Sequence, residues 1–178
     1  MRNFLLAALT ALAAILWGSP LGSGALAADA SASASTEFSD LLWTQADGEE
    51  EEDVSLYPAE VTQAVNAERK NRGLRLLTTE PALDAAAMAR AEELREVFAH
   101  YRPNGTIFST VFLDYKVRST RGGENIAMGQ TDPAAVMDSW MNSKQHRDNI
   151  LSENFSRIGV GFFEASDGVR YWVQVFAS

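Results

Sequence analysis

The residues best suited to catalysis or metal binding are two histidines and one glutamate. The chain contains only two histidines, His100 and His146, and Glu124 lies between them in the sequence. Two neutral imidazoles and one carboxylate suit a divalent metal, zinc first, and leave a position open for water or substrate. A metal site made of the two histidines and one carboxylate is therefore possible.

Each candidate residue also has a purely structural interpretation. His100 precedes the turn Tyr101–Gly105, and a histidine there can close a helix end through a backbone hydrogen bond. Glu124 follows two glycines and leads into apolar residues, so its carboxylate must be paired, liganded or hydrogen-bonded if it is buried. Near the C-terminus, Trp172 and Gln174 are either cleft-lining residues or ordinary core.

Several common mechanisms have no residues to carry them. The chain has no cysteine, which excludes thiol nucleophiles and thiolate metal ligands. It also lacks the G-x-S-x-G, H-E-x-x-H, Walker and G-x-G-x-x-G motifs. These absences do not exclude a metal site of two histidines and one carboxylate.

Hydrophobic spacing predicts two long helices ahead of the first histidine. The first begins near Pro58 and stops at Gly73. The second begins around Pro81, carries an apolar stripe that runs to Phe98, and ends at His100. Alanines on the stripe favour close packing against a neighbouring element.

The residue pattern in the middle of the chain predicts shorter elements. Ile107–Tyr115 is a third helix or, because it is rich in β-branched and aromatic residues, a strand. Asp132 and Pro133 open a further helix as its cap and first residue. Ser143 is positioned to cap a short helix that carries His146.

The last part of the chain changes to the alternation of strands. Ile158–Phe162 alternates with glycines, and Tyr171–Phe176 follows a hairpin turn at Asp167–Gly168. Helices first and paired antiparallel strands last favour an α+β layered fold over a doubly wound parallel sheet.

The first 27 residues have the order of a secretory signal peptide. Arg2 precedes an apolar run, Phe4–Trp17, and small residues lead to Ala25–Ala27. The run is shorter than the roughly 20 apolar residues that a membrane span needs. We expect cleavage after Ala27, no transmembrane segment in the mature chain, and a secreted protein of the cell envelope or extracellular medium.

The negative charge is concentrated ahead of the predicted domain. Residues 28–54 contain nine acidic and no basic residues, whereas residues 55–178 contain 15 acidic and 14 basic residues. We therefore predict a signal peptide at 1–27, a disordered Ala/Ser-rich and acidic spacer at 28–54, and one domain at 55–178. Because that domain has no basic stripe, a nucleic-acid partner is not expected.

Several motifs occur in a fixed order along the predicted domain. Together they resemble the bacterial branch of the superfamily of cysteine-rich secretory proteins, venom antigens and plant pathogenesis-related proteins, known as the CAP or SCP domain. The matching segments are Val65–Arg69, Phe98–Gly105, Gly123–Ala127, Trp140–Leu151, Ile158–Gly161 and Tyr171–Phe176.

The resemblance implies a three-layer α–β–α sandwich with a mostly antiparallel central sheet and a large open cleft. It also implies that the cleft pairs two histidines with acidic residues, which makes His100, His146 and Glu124 the candidate metal ligands. Many eukaryotic members have a second glutamate three residues after the tryptophan, and here Ser143 stands in that position. The implied cleft residues are His100, Glu124, Asn125, Ser143, His146, Trp172 and Gln174.

Three functions follow from these residues and this resemblance. The first is an extracytoplasmic binding module whose cleft holds a divalent metal and a small molecule, lipid or peptide, or which binds an extracellular protein partner. The second is a metal-assisted hydrolase or peptidase, and it ranks lower because a metal-bound Glu124 is poorly free to act as a base. The third is a purely structural triad in a protein-interaction domain. No catalytic residue is assigned, and no cofactor beyond the metal is expected.

Overall fold

The computed structural model describes residues 52–178. The predicted signal peptide and residues 28–51 of the predicted spacer lie outside this range. The predicted spacer boundary falls in a short 3-10 turn, Val54–Leu56, in which the Asp53 carboxylate accepts from the Ser55 amide. None of the described helices is long and apolar enough to cross a membrane.

The described residues form five α-helices and three strands. A 3-10 turn at Phe108–Thr110 leads directly into the shortest helix. In chain order the elements are α1 Tyr57–Asn71, α2 Pro81–Leu94, α3 Val111–Asp114, β1 Gly122–Met128, α4 Pro133–Asn142, α5 Lys144–Leu151, β2 Arg157–Glu164 and β3 Arg170–Ala177.

Helix α2 ends six residues before His100, so the predicted helix end is wrong. The predicted apolar stripe is buried as far as Leu94, whereas Phe98 is 46% exposed. The chain turns because the Arg90 guanidinium, inside α2, donates to the Ala99 carbonyl at 3.0 Å. This bond draws the residues after the helix back toward the sheet and brings His100 with them.

Two further elements differ in how well the sequence predicts them. Ile107–Tyr115 is helical, as a 3-10 turn followed by α3. Strand β1 was not predicted, because Gly122–Asn125 combines residues of low strand propensity and shows no alternation. Pairing with β3 forms β1, with Glu124 opposite Val175.

The three strands form one antiparallel sheet in the order β1-β3-β2. The last strand in the chain is therefore the central strand, and β1 and β2 are the two edges. Helix α2 covers one face of the sheet, and α1, α4 and α5 cover the other. The predicted α+β fold, an α–β–α sandwich around an antiparallel sheet, is confirmed.

Aromatic side chains fill the core beneath α1 and α4. Phe162 and Trp172, neighbours across β2 and β3, have ring centroids 4.5 Å apart. Tyr57, at the start of α1, contacts both rings at 5.0 and 5.3 Å. Such pairs contribute about 0.5–1.5 kcal/mol each beyond the area they bury, so they fix where α1 lies on the sheet.

Helix α2 lies unusually close to the opposite face. Gly159 and Gly161 of β2 face it, and a Cβ on Gly161 would lie 2.1 Å from the Ala87 carbonyl oxygen. Ala86 and Ala91 are also buried on this face of the helix. The small residues on both elements let the helix backbone rest almost directly on the strand, as the alanines predicted.

We predict that Gly161→Ala destabilises the domain severely, because the helix backbone has to move away from β2. The expected loss is about 3 kcal/mol or more in the free energy of unfolding, measured by urea denaturation. Gly129→Ala is the control, since Gly129 has φ +91° and no atom near its missing Cβ. Backbone strain alone costs about 1 kcal/mol there. Equal losses in both variants would contradict the close approach.

Candidate functional site

Glu124 is a buried carboxylate at the centre of the predicted site. Its position on β1 directs the side chain toward α2, and none of that side chain is exposed. One oxygen, Oε1, accepts from Arg90 Nε at 2.8 Å. The other, Oε2, lies 2.8 Å from His100 Nδ1 and 3.4 Å from the second Arg90 nitrogen. Both carboxylate oxygens are therefore engaged by side chains of this domain.

His100 is held from both sides. Its carbonyl accepts from the Phe108 amide at 2.9 Å, and its Nδ1 contacts Glu124. Because a carboxylate accepts hydrogen bonds, this contact keeps the proton of the neutral ring on Nδ1 and leaves Nε2 with a lone pair. The side chain is 55% exposed, so that nitrogen is available to a ligand.

His146 lies on α5, on the other side of strand β1. Its backbone carbonyl accepts from Asn125 Nδ2 at 3.0 Å, which ties α5 to the strand. Burial, followed by the charge of the nearby His100, lowers the pKa of His146 below its usual value. Its Nδ1 is buried and has no hydrogen-bond partner among the described residues. Such an unsatisfied atom calls for a water, an ion or a ligand.

Arg90 is a site residue that the sequence analysis missed. Its side chain is completely buried and bonds Glu124, Glu93 at 2.6 Å and the Ala99 carbonyl. Burial alone would lower its pKa, but the bonds and charges of the two glutamates raise it above the usual value. The sequence does contain a pattern that indicates this role, since its spacing places Arg90 on the same helical face as Leu83, Ala87 and Leu94. A guanidinium on a buried face must be paired.

A chain of charged groups connects this pair to the surface. Glu93 accepts from Arg102 as well as Arg90, and Arg102 also bonds Asp114 at 2.7 Å. Burial raises the pKa of Glu93, but the two guanidinium groups outweigh it and hold the pKa below its usual value. The loop that carries His100 is therefore clamped to α2 by Arg102.

On the other face of β1, amide side chains form a second network. Asn125 Nδ2 donates to Gln174 Oε1 at 2.9 Å, and Asn149 Nδ2 donates to Asn125 Oδ1 at 2.9 Å. Asn149 also lies 3.2 Å from the Glu124 carbonyl, and Trp140 Nε1 lies 3.3 Å from the Ile126 carbonyl. These bonds cap the outer carbonyls of edge strand β1 and fix it against α4 and α5.

The other predicted cleft residues occupy different surroundings. Trp172 and Gln174 are fully buried in the core, and Trp172 Nε1 donates to the Gln130 carbonyl at 2.9 Å. Asn125 is equally buried. Ser143 is half-buried between α4 and α5, and its side chain forms no capping bond. The structure brings Glu124 and His100 into direct contact and places His146 across the strand from them.

The three candidate ligands are not equally free to bind a metal. Across residues 52–178, no three histidine, aspartate or glutamate side chains form a metal-ligand group. Glu124 would have to give up Arg90 or His100 to become a ligand. The two imidazoles keep nitrogens that Glu124 does not engage, so they fit a metal better than the carboxylate does. The site of His100, His146 and Glu124 stays a prediction.

A family model described as the cysteine-rich secretory protein family matches residues 62–176 of this chain. The chain belongs to that family. The uncharacterized protein YkwD of Bacillus subtilis is 37% identical over 126 residues, which cover 69% of this chain and 48% of YkwD. The uncharacterized membrane protein YlbC of the same organism is 26% identical over 119 residues, 66% of this chain and 33% of YlbC. This chain thus spans half or less of these relatives.

Solved structures carry the same cysteine-rich secretory protein fold. An extracellular SCP-domain protein from Bacillus anthracis has a TM-score of 0.63 and 26% identity, over 68% of this chain and 40% of that one. An outer surface protein from Borrelia burgdorferi has a TM-score of 0.61 and 22% identity, over 66% of this chain and 89% of that one. The resemblance predicted from the motifs is therefore confirmed.

We predict that Arg90→Met destabilises this cysteine-rich secretory protein domain by about 3 to 5 kcal/mol, because it leaves the Glu124 carboxylate buried without its partner. Arg72→Met is the control, since it breaks an exposed pair with Glu68 and should cost less than about 1 kcal/mol. Both values come from urea denaturation. In the double variant Arg90→Met/Glu124→Gln, the loss should be smaller than the sum of the single losses. Additive losses would contradict the pairing.

Glu93 should contribute stability that is lost in acid. Its ionised form is favoured in the folded state, so the contribution is complete above the ordinary pKa of 4.5 and disappears as the pH falls through the lower folded value. Glu93→Gln should flatten the loss of unfolding free energy below pH 4.5. Glu96→Gln is the control, because Glu96 is an exposed glutamate three residues further along the chain. An unchanged pH profile in Glu93→Gln would refute this role.

Proposed function

We propose that this chain is an exported binding module whose cleft takes a divalent metal, zinc first, between His100 and His146. The same cleft would take a small molecule, lipid or peptide. The observation that carries the proposal is the contact between His100 Nδ1 and a Glu124 carboxylate already paired with Arg90. This arrangement prepares an imidazole to bind through its outer nitrogen.

Glu124 would hold His100 in position through a hydrogen bond and would not itself be a metal ligand. A carboxylate that accepts from a ligating histidine fixes its tautomer and orientation and raises its basicity. The Arg90 guanidinium in turn holds the Glu124 carboxylate in place. His146, with a buried nitrogen in need of a partner, would supply the second imidazole. A metal held by two imidazoles leaves positions open for an oxygen of the bound molecule.

Export is part of the proposal. It is supported by the predicted signal peptide at 1–27 and by structural relatives described as extracellular or outer surface proteins. The absence of cysteine means that the domain needs no oxidising compartment in order to fold. Its stability rests on the two packed cores and on the buried ion pair.

The structural alternative has its own support. Glu124 and Asn125 are both fully engaged within the domain, so the polar cluster holds β1 between α2 and α5 whether or not a ligand binds. The hydrolase alternative has less support, because the Glu124 carboxylate is not free to move a proton while both its oxygens accept from Arg90 and His100. Hydrolysis of a peptide or ester panel by the chain, lost in a Glu124→Gln variant whose folding is verified by circular dichroism, would revive it.

Zinc titration of the metal-free chain by calorimetry tests the metal site. We expect one zinc per chain, and a loss of affinity of at least about tenfold in His100→Ala, in His146→Ala and in Glu124→Gln. Asp148→Asn is the control, because it alters an exposed carboxylate on the same helix as His146. Unchanged binding in both histidine variants would refute the site. A chain that binds no zinc, yet is destabilised by Glu124→Gln, would favour the structural alternative.

A further inference from the structure

A groove lies at the opposite edge of the sheet from the histidine cleft. It runs between α1 and α2 over edge strand β2 and has a volume of about 540 Å³, within the range of small-molecule sites. Apolar atoms form most of its lining. The lining residues are Ser55, Pro58, Ala59, Thr62, Gln63, Thr79, Asp84, Met88 and Val160.

Among residues 52–178, Asp84 is the only charged residue that lines the groove. Its side chain projects from the first turns of α2 and is half-buried. Burial, and then the charge of nearby Glu80, raise the pKa of Asp84 and outweigh a backbone interaction with Val160 that lowers it. Glu80 has a cationic partner, Arg157 at 2.9 Å, whereas Asp84 forms no ion pair among the described residues.

The floor of the groove is already protected against the addition of another strand. Outward amides of β2 already have acceptors: Ile158 donates to the Thr78 carbonyl, and Phe162 donates to Met88 Sδ. An extended peptide could pair with this edge only by displacing these acceptors, so covering of this kind protects an edge strand. The groove therefore fits a small molecule and not an added β-strand.

The polarity of the groove defines the class of that molecule. In the part of the chain that the structure describes, no lysine, arginine or histidine lines the groove, so the charged group that an anionic ligand would meet there is a carboxylate. A primary ammonium, in contrast, supplies three donors and the positive charge that Asp84 lacks. The apolar walls from Pro58, Ala59 and Met88 suit an aliphatic or aromatic body attached to that ammonium.

We propose that this groove is a second binding site, for a small primary amine with an apolar chain, whose ammonium bonds the Asp84 carboxylate. The site is independent of the metal cleft, since β1 and β2 are opposite edges of the sheet. The ammonium supplies the carboxylate with an ion-pair partner. The chain of the amine lies along the groove between the two helices.

Octylammonium, octanoate and octanol are the probes, titrated into the full purified chain and followed by calorimetry and by amide chemical shifts. Octylammonium should bind saturably, one per chain, at least about tenfold more tightly than either other probe, because only it forms the charge-assisted bond. The amide shifts should centre on Thr79, Met88 and Val160. Zinc at saturation should leave this binding unchanged, so that failure of one site is distinguishable from failure of the other.

Two pairs of variants locate the site. Asp84→Asn keeps the shape of the side chain but removes its charge, and should weaken octylammonium binding at least about tenfold. Asp138→Asn, an exposed change on α4, should not. Ala59→Trp fills the groove from an exposed helix position and should abolish binding, whereas Ala134→Trp on α4 should leave it intact.

Three results would overturn the proposal. One is equal affinity for octanoate or octanol, which would indicate apolar contact without recognition of the ammonium. Another is unchanged binding in Asp84→Asn or in Ala59→Trp, with folding of the variant verified by circular dichroism. The third is a set of amide shifts centred on His100 and His146, which would move the amine to the other edge of the sheet.

Discussion

The buried ion pair between Arg90 and Glu124 is the constraint on which the site depends. A carboxylate and a guanidinium without solvent exposure must satisfy one another, because neither can be hydrated. Arg90 does so from inside α2, and Glu124 from the edge strand β1, so the pair fixes the distance between helix and strand. The remaining donors of Arg90 then hold Glu93 and the Ala99 carbonyl, which sets the turn that presents His100.

Other polar contacts and strand pairing order two elements that have weak local preferences. Strand β1 starts with two glycines and has few residues of high strand propensity, yet it is fixed by β3 on one side and by Asn149 and Trp140 on the other. The loop after α2 has few buried apolar residues, yet Arg102 clamps it to Glu93. Polar contacts with demanding geometry supply the precision that hydrophobic burial alone does not.

Much of the fold could be predicted from local pattern. The apolar stripe of α2, the Asp132–Pro133 start of α4 and the alternation of β2 and β3 all follow from side-chain spacing, because each element buries one regular face. The end of α2 and the existence of β1 could not be predicted in this way. The end of α2 depends on the Arg90 side chain, which reaches the Ala99 carbonyl nine residues away. Strand β1 depends on pairing with β3, whose residues are about 50 positions away in the sequence.

The candidate site was predictable in its residues but not in its connections. His100, Glu124 and His146 were chosen by type and by family resemblance, and the structure joins the first two directly. The role of Glu124 as the acceptor behind His100, with Arg90 as its partner, required the three-dimensional contacts. Trp172 and Gln174 face the core because both faces of the central strand are covered by helices. Alternation cannot show which face of a doubly covered strand adjoins a cleft.

The position of β3 at the centre of the sheet determines when the domain can fold during synthesis. Neither β1 nor β2 has its hydrogen-bonding partner until the final strand has been synthesised, and Gly122 pairs with Ala177 across a long stretch of chain. An incomplete chain emerging from the ribosome therefore has no sheet on which α1 and α2 can pack. Such late, non-local pairing makes folding slow. Until β3 has been added, the nascent chain therefore has no folded domain.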